Sequence, residues 1–190
     1  MSKALTAWVE GIGFLATGLP DPQHYSTARD LAKLAQAVIR DFPEYYTTYS
    51  RKEYTYNRIT QPNRNRLLWL DPTVDGVKTG FTENAGYCLI ASSKRSARRL
   101  ISVVLGADSD SMRAQESQRL LNHGFLNFDA VRVHEKNQVV SQLKVFKGAQ
   151  GTVKVGFQED LVLSLPKGMA ERLKTELVSR QPLLAPVQQG

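Results

Sequence analysis

A single cysteine, Cys88, rules out an internal disulfide, and three scattered histidines, His24, His123 and His134, leave no Cys/His cluster at metal-ligand spacing. That argues against a zinc enzyme, and no metal or other cofactor is expected. No apolar run approaches the roughly 20 residues that a bilayer-spanning helix needs. The closing Pro186-Val-Gln-Gln-Gly190 has no amphipathic pattern, and Glu10 interrupts the opening stretch where a secretory signal requires unbroken apolar sequence. Neither an export signal nor a membrane tether is therefore expected within these residues.

What is present is a chain of 190 residues with 42% hydrophobic and 23% charged positions, enough for one large or two small cores. Its formal charge of +7 suits nucleic acid, an anionic membrane surface or an acidic polymer such as a cell wall. Charge alone does not choose among these. The densest basic run, Lys94, Arg95, Arg98 and Arg99, lies between two apolar stretches and reads as a solvated hairpin tip rather than a binding patch. With no base-reading motif beside it, a nucleic-acid partner is not expected.

Leu31, Leu34, Ala35, Val38 and Ile39 recur at helical spacing, with Thr27 and Asp30 placed as a capping box and Pro43 as the stop. Glu53 to Ile59 alternates as a strand, and Gln61-Pro-Asn-Arg-Asn65 reads as turn. The tyrosines between Tyr45 and Tyr56 are expected to be half-buried packing. Three strands follow, Val74 to Thr79, Tyr87 to Ser92 and Leu100 to Leu105, punctuated by Gly80, Gly86 and Gly106. A second helix, capped around Ser109 to Ser111 and running through Leu121, should lie across this antiparallel meander. Beyond Phe128 the sequence turns to short β runs: 131–133, 139–146, 152–157, 161–165 and a last one over 173–178.

Lys78-Thr79-Gly80 ends the first strand of the meander. A lysine ammonium and a threonine hydroxyl suit a carboxylate, and glycine admits the close approach of a peptide or β-lactam. Three residues alone are weak evidence, since a charged strand end before a turn has the same form. The surrounding text is specific: Gly18-Leu19, Tyr25 to Asp30, Asn63-Arg-Asn-Arg-Leu-Leu-Trp69, Val74-Asp-Gly-Val-Lys-Thr-Gly80 and Ala85-Gly-Tyr87, in this order and spacing. Together they resemble the low-molecular-weight penicillin-binding proteins, serine-type D-alanyl-D-alanine carboxypeptidases of peptidoglycan metabolism.

The resemblance implies an α+β fold: 1–128 as the C-terminal part of a penicillin-binding/β-lactamase-like catalytic domain, and 129–190 as a β-rich, sandwich-like domain that is expected to be incomplete. It implies substrate-binding roles for Lys78, Thr79, Gly80, Arg113, Arg64 and Thr82, with Arg113 placed to meet the substrate's terminal carboxylate. The implied ligands are a peptidoglycan stem peptide ending in D-Ala-D-Ala and, in the full-length family, β-lactams. Where some relatives carry histidine after K-T-G, this chain has Phe81, so that side chain's role does not carry over. The appended β region and the Asn63 to Trp69 text speak against a β-lactamase.

The family's nucleophile sits in an S-x-x-K helix start faced by an S-x-N triplet. Here S-x-x-K occurs only at Ser141/Lys144 and Ser164/Lys167, both in strand-like sequence where positions i and i+3 point to opposite faces, and S-x-N occurs nowhere. No catalytic residue is assigned. The expectation is a fragment without its own chemistry, poorly soluble at an exposed edge. Relatives work in the periplasm through a C-terminal anchor; without leader or anchor a lone product would stay in the cytoplasm. The alternative is a non-catalytic module that binds the cell wall or a partner protein.

Overall fold

In a computed structural model, residues 25–179 and 182–188 are described; the expected motif at Gly18-Leu19, and His24, lie outside them. The chain divides into two compact units, one up to Gly124 and one from Phe125.

The first unit opens with helix α1, Ala28–Asp41. The Thr27 hydroxyl accepts from the Asp30 amide at 3.1 Å, satisfying one of the helix's orphan donors as the capping pattern requires. Pro43 ends α1 but starts a short helix α2, Pro43–Tyr46, because proline at the first helical position lacks only an amide that would be unpaired anyway. Strands β1, Glu53–Tyr56, and β2, Ile59–Pro62, form a hairpin turning at Asn57 and Arg58, both with positive φ. This corrects the sequence reading: the single strand over 53–59 is broken by a two-residue turn, and Gln61 and Pro62 pair as strand. Two consecutive left-handed residues match the twist of an antiparallel pair. The tyrosines also divide. Tyr46 is buried, while Tyr45, Tyr54 and Tyr56 are exposed rather than half-buried.

One turn of helix, α3 (Leu67–Leu70), leads into the meander of β3 (Val74–Thr82), β4 (Gly86–Arg95) and β5 (Arg98–Ala107), in spatial order β3-β4-β5. Helix α4, Asp110–Asn127, then runs over the sheet, longer than the sequence pattern indicates. Leu67, Leu68, Val74, Leu89, Ala91, Ala114 and Leu121 form one core, joining α3, the sheet and α4. Ala35, Tyr46 and Val77 form a second with Val38, Ile39, Ile90 and Ile101 around them, joining α1 and α2 to the sheet. The sheet is thus covered by helices through two separate apolar clusters, as a mixed layer architecture demands.

The basic run is not a solvated tip. The hairpin turns at Ser96, φ 54°, but Arg95 reaches the Asp71 carboxylate at 3.0 Å and the Asn122 side chain at 2.8 Å. Arg98 donates to the Gly124 carbonyl at 2.8 Å, and Arg99 pairs with Asp75. Among the four, Lys94 is the exposed one. Arginine's long stem and forked head let these strand-end residues fold back onto Asp71 beyond α3, Asp75 of β3 and the Gly124 carbonyl of α4, which a reading of local charge density does not reveal.

In the second unit β6 (Phe128–His134) pairs antiparallel with β9 (Leu161–Pro166), and β7 (Val139–Phe146) with β8 (Thr152–Gly156). The strand expected over 173–178 does not form. Instead a two-residue strand, β10 (Leu183–Leu184), runs parallel to β7. Pro182 and Pro186 bracket it, and proline cannot donate to a ladder, so the pairing stops at two residues. None of the described residues from Phe125 onward is fully buried; half-buried and exposed positions alternate along β7, β8 and β9.

Candidate functional site

The Lys78-Thr79-Gly80 triplet lies near the end of β3, whose partner among the described residues is β4 on one side only. Lys78 pairs in register with Ile90, Thr79 with Leu89 and Gly80 with Cys88. Among the described residues no strand lies across from the opposite edge of β3, the arrangement on which an extended peptide can be laid.

Two networks hold this strand in place. In the first, Asp75, three residues before Lys78, accepts from both Arg99 guanidinium nitrogens at 2.7 Å and from the Tyr46 hydroxyl at 2.8 Å. Arg99 also donates to the buried Ser92 hydroxyl at 2.6 Å. The hydrogen bonds from Arg99 to Asp75 push the guanidinium pKa further up, and burial pushes the Tyr46 phenol up, so neither titrates in the ordinary range. In the second network the fully buried Asn65 donates its side-chain amide to the Gly76 carbonyl at 3.1 Å and accepts from the Leu67 amide. Both networks fix the root of β3.

A cleft of about 900 Å3 opens at the tip of β3. It is lined by every substrate-binding residue expected from the sequence, Arg64, Lys78, Thr79, Gly80, Thr82 and Arg113, together with Arg66, Phe81, Tyr87, Cys88 and Asp110. The structure therefore brings together residues up to 49 positions apart, from Arg64 to Arg113. They are not equivalent. Lys78 is exposed and its ammonium donates to the neighbouring Thr79 carbonyl at 2.7 Å. The Thr82 hydroxyl accepts from the Ala85 amide at 3.0 Å, closing the turn between β3 and β4. Arg64 is exposed at the rim.

Arg113 is the buried member, 4% exposed. Its guanidinium donates to the carbonyls of Gly80 at 3.1 Å and Cys88 at 3.4 Å and to the Asp110 carboxylate, and it lies 5.4 Å from the centre of the Tyr87 ring. This arginine clamps the tips of β3 and β4 to the first turn of α4. Phe81 and Tyr87 pair across the strands with ring centres 4.4 Å apart, so an aromatic step occupies the position after the triplet. A Cβ at Gly80 would sit 3.8 Å from the Cys88 Cβ, ordinary contact, so the fold has room for a larger residue there.

Sequence reasoning did not assign Arg66 and Asp110 to the site. Asp110 stands three residues before Arg113 on one helix, a spacing at which opposite charges meet, and that was the available signal. The two S-x-x-K matches lie elsewhere: Ser141 and Lys144 are both on β7, Ser164 is on β9 with Lys167 just beyond it, and all four belong to the second unit.

A K-T-G strand at the edge of an antiparallel meander, followed by a helix whose arginine grips its glycine, narrows the class, because K-T-G is a motif of penicillin-binding proteins and β-lactamases. Comparison with known proteins specifies the class. Residues 14–109 match the D-alanyl-D-alanine carboxypeptidase family, and residues 128–190 match the C-terminal domain of penicillin-binding protein 5. The chain belongs to the D-alanyl-D-alanine carboxypeptidase family of low-molecular-weight penicillin-binding proteins. It is 43% identical over 175 residues to the D-alanyl-D-alanine carboxypeptidase DacC of Escherichia coli, covering 91% of this chain and 44% of that protein. It is 44% identical over 178 residues to DacA of Haemophilus influenzae, covering 91% and 45%. Among solved structures, penicillin binding protein 5 from Haemophilus influenzae superposes with a TM-score of 0.88 at 40% identity, over 99% of this chain and 57% of that one. Penicillin-binding protein D2 from Listeria monocytogenes, solved in a cefotaxime-bound form, superposes with a TM-score of 0.57 at 32% identity over 65% of this chain and 54% of its own. The chain thus spans less than half the length of these curated relatives.

Proposed function

We propose that these residues form the carboxylate-binding wall of a serine D-alanyl-D-alanine carboxypeptidase acting on peptidoglycan stem peptides at the cell wall, and that the nucleophile is not among them. The observation that carries this reading is the convergence of Lys78, Thr79, Arg64 and Arg113 on one cleft beside the open edge of β3. A peptide ending in D-Ala-D-Ala pairs its backbone with that edge, and its terminal carboxylate meets the Lys78 ammonium and the Thr79 hydroxyl. Gly80 keeps the strand surface low enough for the backbone to approach. Arg113 was expected to meet that carboxylate; with its guanidinium buried and donating to Gly80, Cys88 and Asp110, we assign it instead the role of holding the Gly80 carbonyl, and so the pitch of the strand end, from behind. Thr82 contributes by fixing the turn.

β-Lactams, which present a carboxylate beside an acyl group, fit the same wall. Acylation requires a serine with a base within hydrogen-bond reach, and neither S-x-x-K pair has this: a strand places Ser141 and Lys144 on opposite faces. The chain alone therefore binds without turning over.

The test is a nuclear magnetic resonance titration of the isotope-labelled chain with acetyl-Ala-D-Ala-D-Ala and with its C-terminal amide. Carboxylate recognition predicts that the free acid, and not the amide, shifts the Thr79 to Thr82 resonances, and that Lys78→Ala abolishes the difference. Equal responses to acid and amide would sink the assignment. A non-catalytic cell-wall module has its own observation, the lysines at 136, 144, 147, 154, 167 and 174 in the second unit; it is separated by whether the full chain still binds peptidoglycan when Lys78 is replaced.

A further inference from the structure

Asp110 holds two arginines at once. One carboxylate oxygen accepts from Arg113, and the other lies 3.6 Å from an Arg66 guanidinium nitrogen. The two partners differ in what they have left to offer. The Arg113 side chain is 5% exposed and is already shared among Gly80, Cys88 and Asp110. The Arg66 side chain is 58% exposed, lines the same cleft and has Asp110 as its partner among the described residues.

The charge balance of the cleft follows. Arg113 and Asp110 neutralise one another, leaving Arg64, Arg66 and Lys78 as cationic heads on a surface for which the proposed ligand brings a single terminal carboxylate. Arg66 lies at ion-pair distance from Asp110, and its planar guanidinium presents the fork of donors that matches a carboxylate with two parallel hydrogen bonds. At about 900 Å3 the cleft is large enough for more than a dipeptide end.

Resting on the carboxylate-wall reading, we infer that Arg66, poised by Asp110, is a specificity-determining residue that recognises a second carboxylate on the same D-alanine-ended peptide. The ligand class is a dianionic peptide: one charge at its C-terminus for Lys78 and Thr79, and one on a preceding side chain for Arg66. Arg113 is a positioning residue in this arrangement, and it sets where Arg66 stands through their shared aspartate.

The experiment compares acetyl-Ala-D-Ala-D-Ala with acetyl-Glu-D-Ala-D-Ala, titrated into the full chain and its Arg66→Gln variant at low ionic strength, following the Thr79 to Thr82 resonances. In the unsubstituted chain the glutamyl peptide binds about fivefold more tightly, the scale of one solvent-accessible charge pair. Arg66→Gln brings the glutamyl peptide to the level of the alanyl one and leaves the alanyl peptide unchanged. Because Arg66 is exposed and makes no side-chain cap, the variant retains the fold. Equal weakening of both peptides places Arg66 at the terminal carboxylate and overturns the inference, as does no change in either. If neither peptide shifts these resonances, the carboxylate wall itself falls, and the second site with it.

Discussion

Replacing Asp75 by asparagine removes the charge that Arg99 and Tyr46 both address while nearly preserving volume. The pair is bidentate, with two contacts of 2.7 Å, and the side chains of Arg99 and Asp75 are 26% and 30% exposed. A hydrogen bond involving a charged group contributes about 1.5–3 kcal/mol when shielded, and an exposed pair under about 1 kcal/mol. At this intermediate exposure the loss is about 2 kcal/mol, which for a chain of this size lowers the melting temperature by ~4–8 °C. Circular dichroism melts of Asp75→Asn, Arg99→Met and the double variant separate the pair from its surroundings. The double variant should melt close to either single one, with a coupling of about 1.5 kcal/mol. Strict additivity, within about 0.3–0.5 kcal/mol, would mean that the two groups do not stabilise each other and that β3 is anchored by other contacts.

Gly76→Ala drives a methyl group to 2.7 Å from the Tyr46 hydroxyl, and overpacking of this kind costs about 1–3 kcal/mol, measurable as a lower urea midpoint. Gly80→Ala should leave that midpoint within about 0.5 kcal/mol, since its Cβ meets ordinary contact only, while weakening binding of the D-alanine peptide in the same titration. Burial pushes the Asp71 carboxyl up, but the Thr73 hydroxyl and amide and the Arg95 guanidinium outweigh it and hold the group below its ordinary value. Its contribution to stability is thus complete above the unfolded value of about 3.9 and is lost as pH falls through the lower folded value. Chemical denaturation at pH 7 and pH 3 should show this loss reduced in Arg95→Met.

Much of the first unit was legible because its signals are local. The Thr27 cap, the period of α1 and the alternation from Val74 to Leu105 each arise within a few residues, and the hydrogen bonds and pairings follow them. The cleft was legible for a different reason: Arg64, Lys78, Thr79 and Arg113 were read through a family text whose spacing encodes their meeting. What could not be read was long-range side-chain traffic. Arg99 meets Asp75 24 positions away, and Arg95 meets Asn122 27 positions away, so a basic run on a hairpin looks solvated until the sheet and α4 are in place. The 57–58 turn was missed because Asn57-Arg58 lacks the glycine that usually marks positive φ. The absent strand over 173–178 had apolar residues but no pairing information in its own sequence.

Whether the residues of this chain carry a nucleophile beside the proposed substrate wall is tested most directly by intact-mass spectrometry of the folded chain after incubation with excess benzylpenicillin. No covalent mass increase is expected, in the unsubstituted chain and in Ser141→Ala and Ser164→Ala alike. A stoichiometric adduct that maps to a serine, and disappears when that serine is replaced, would contradict the proposed absence of a nucleophile.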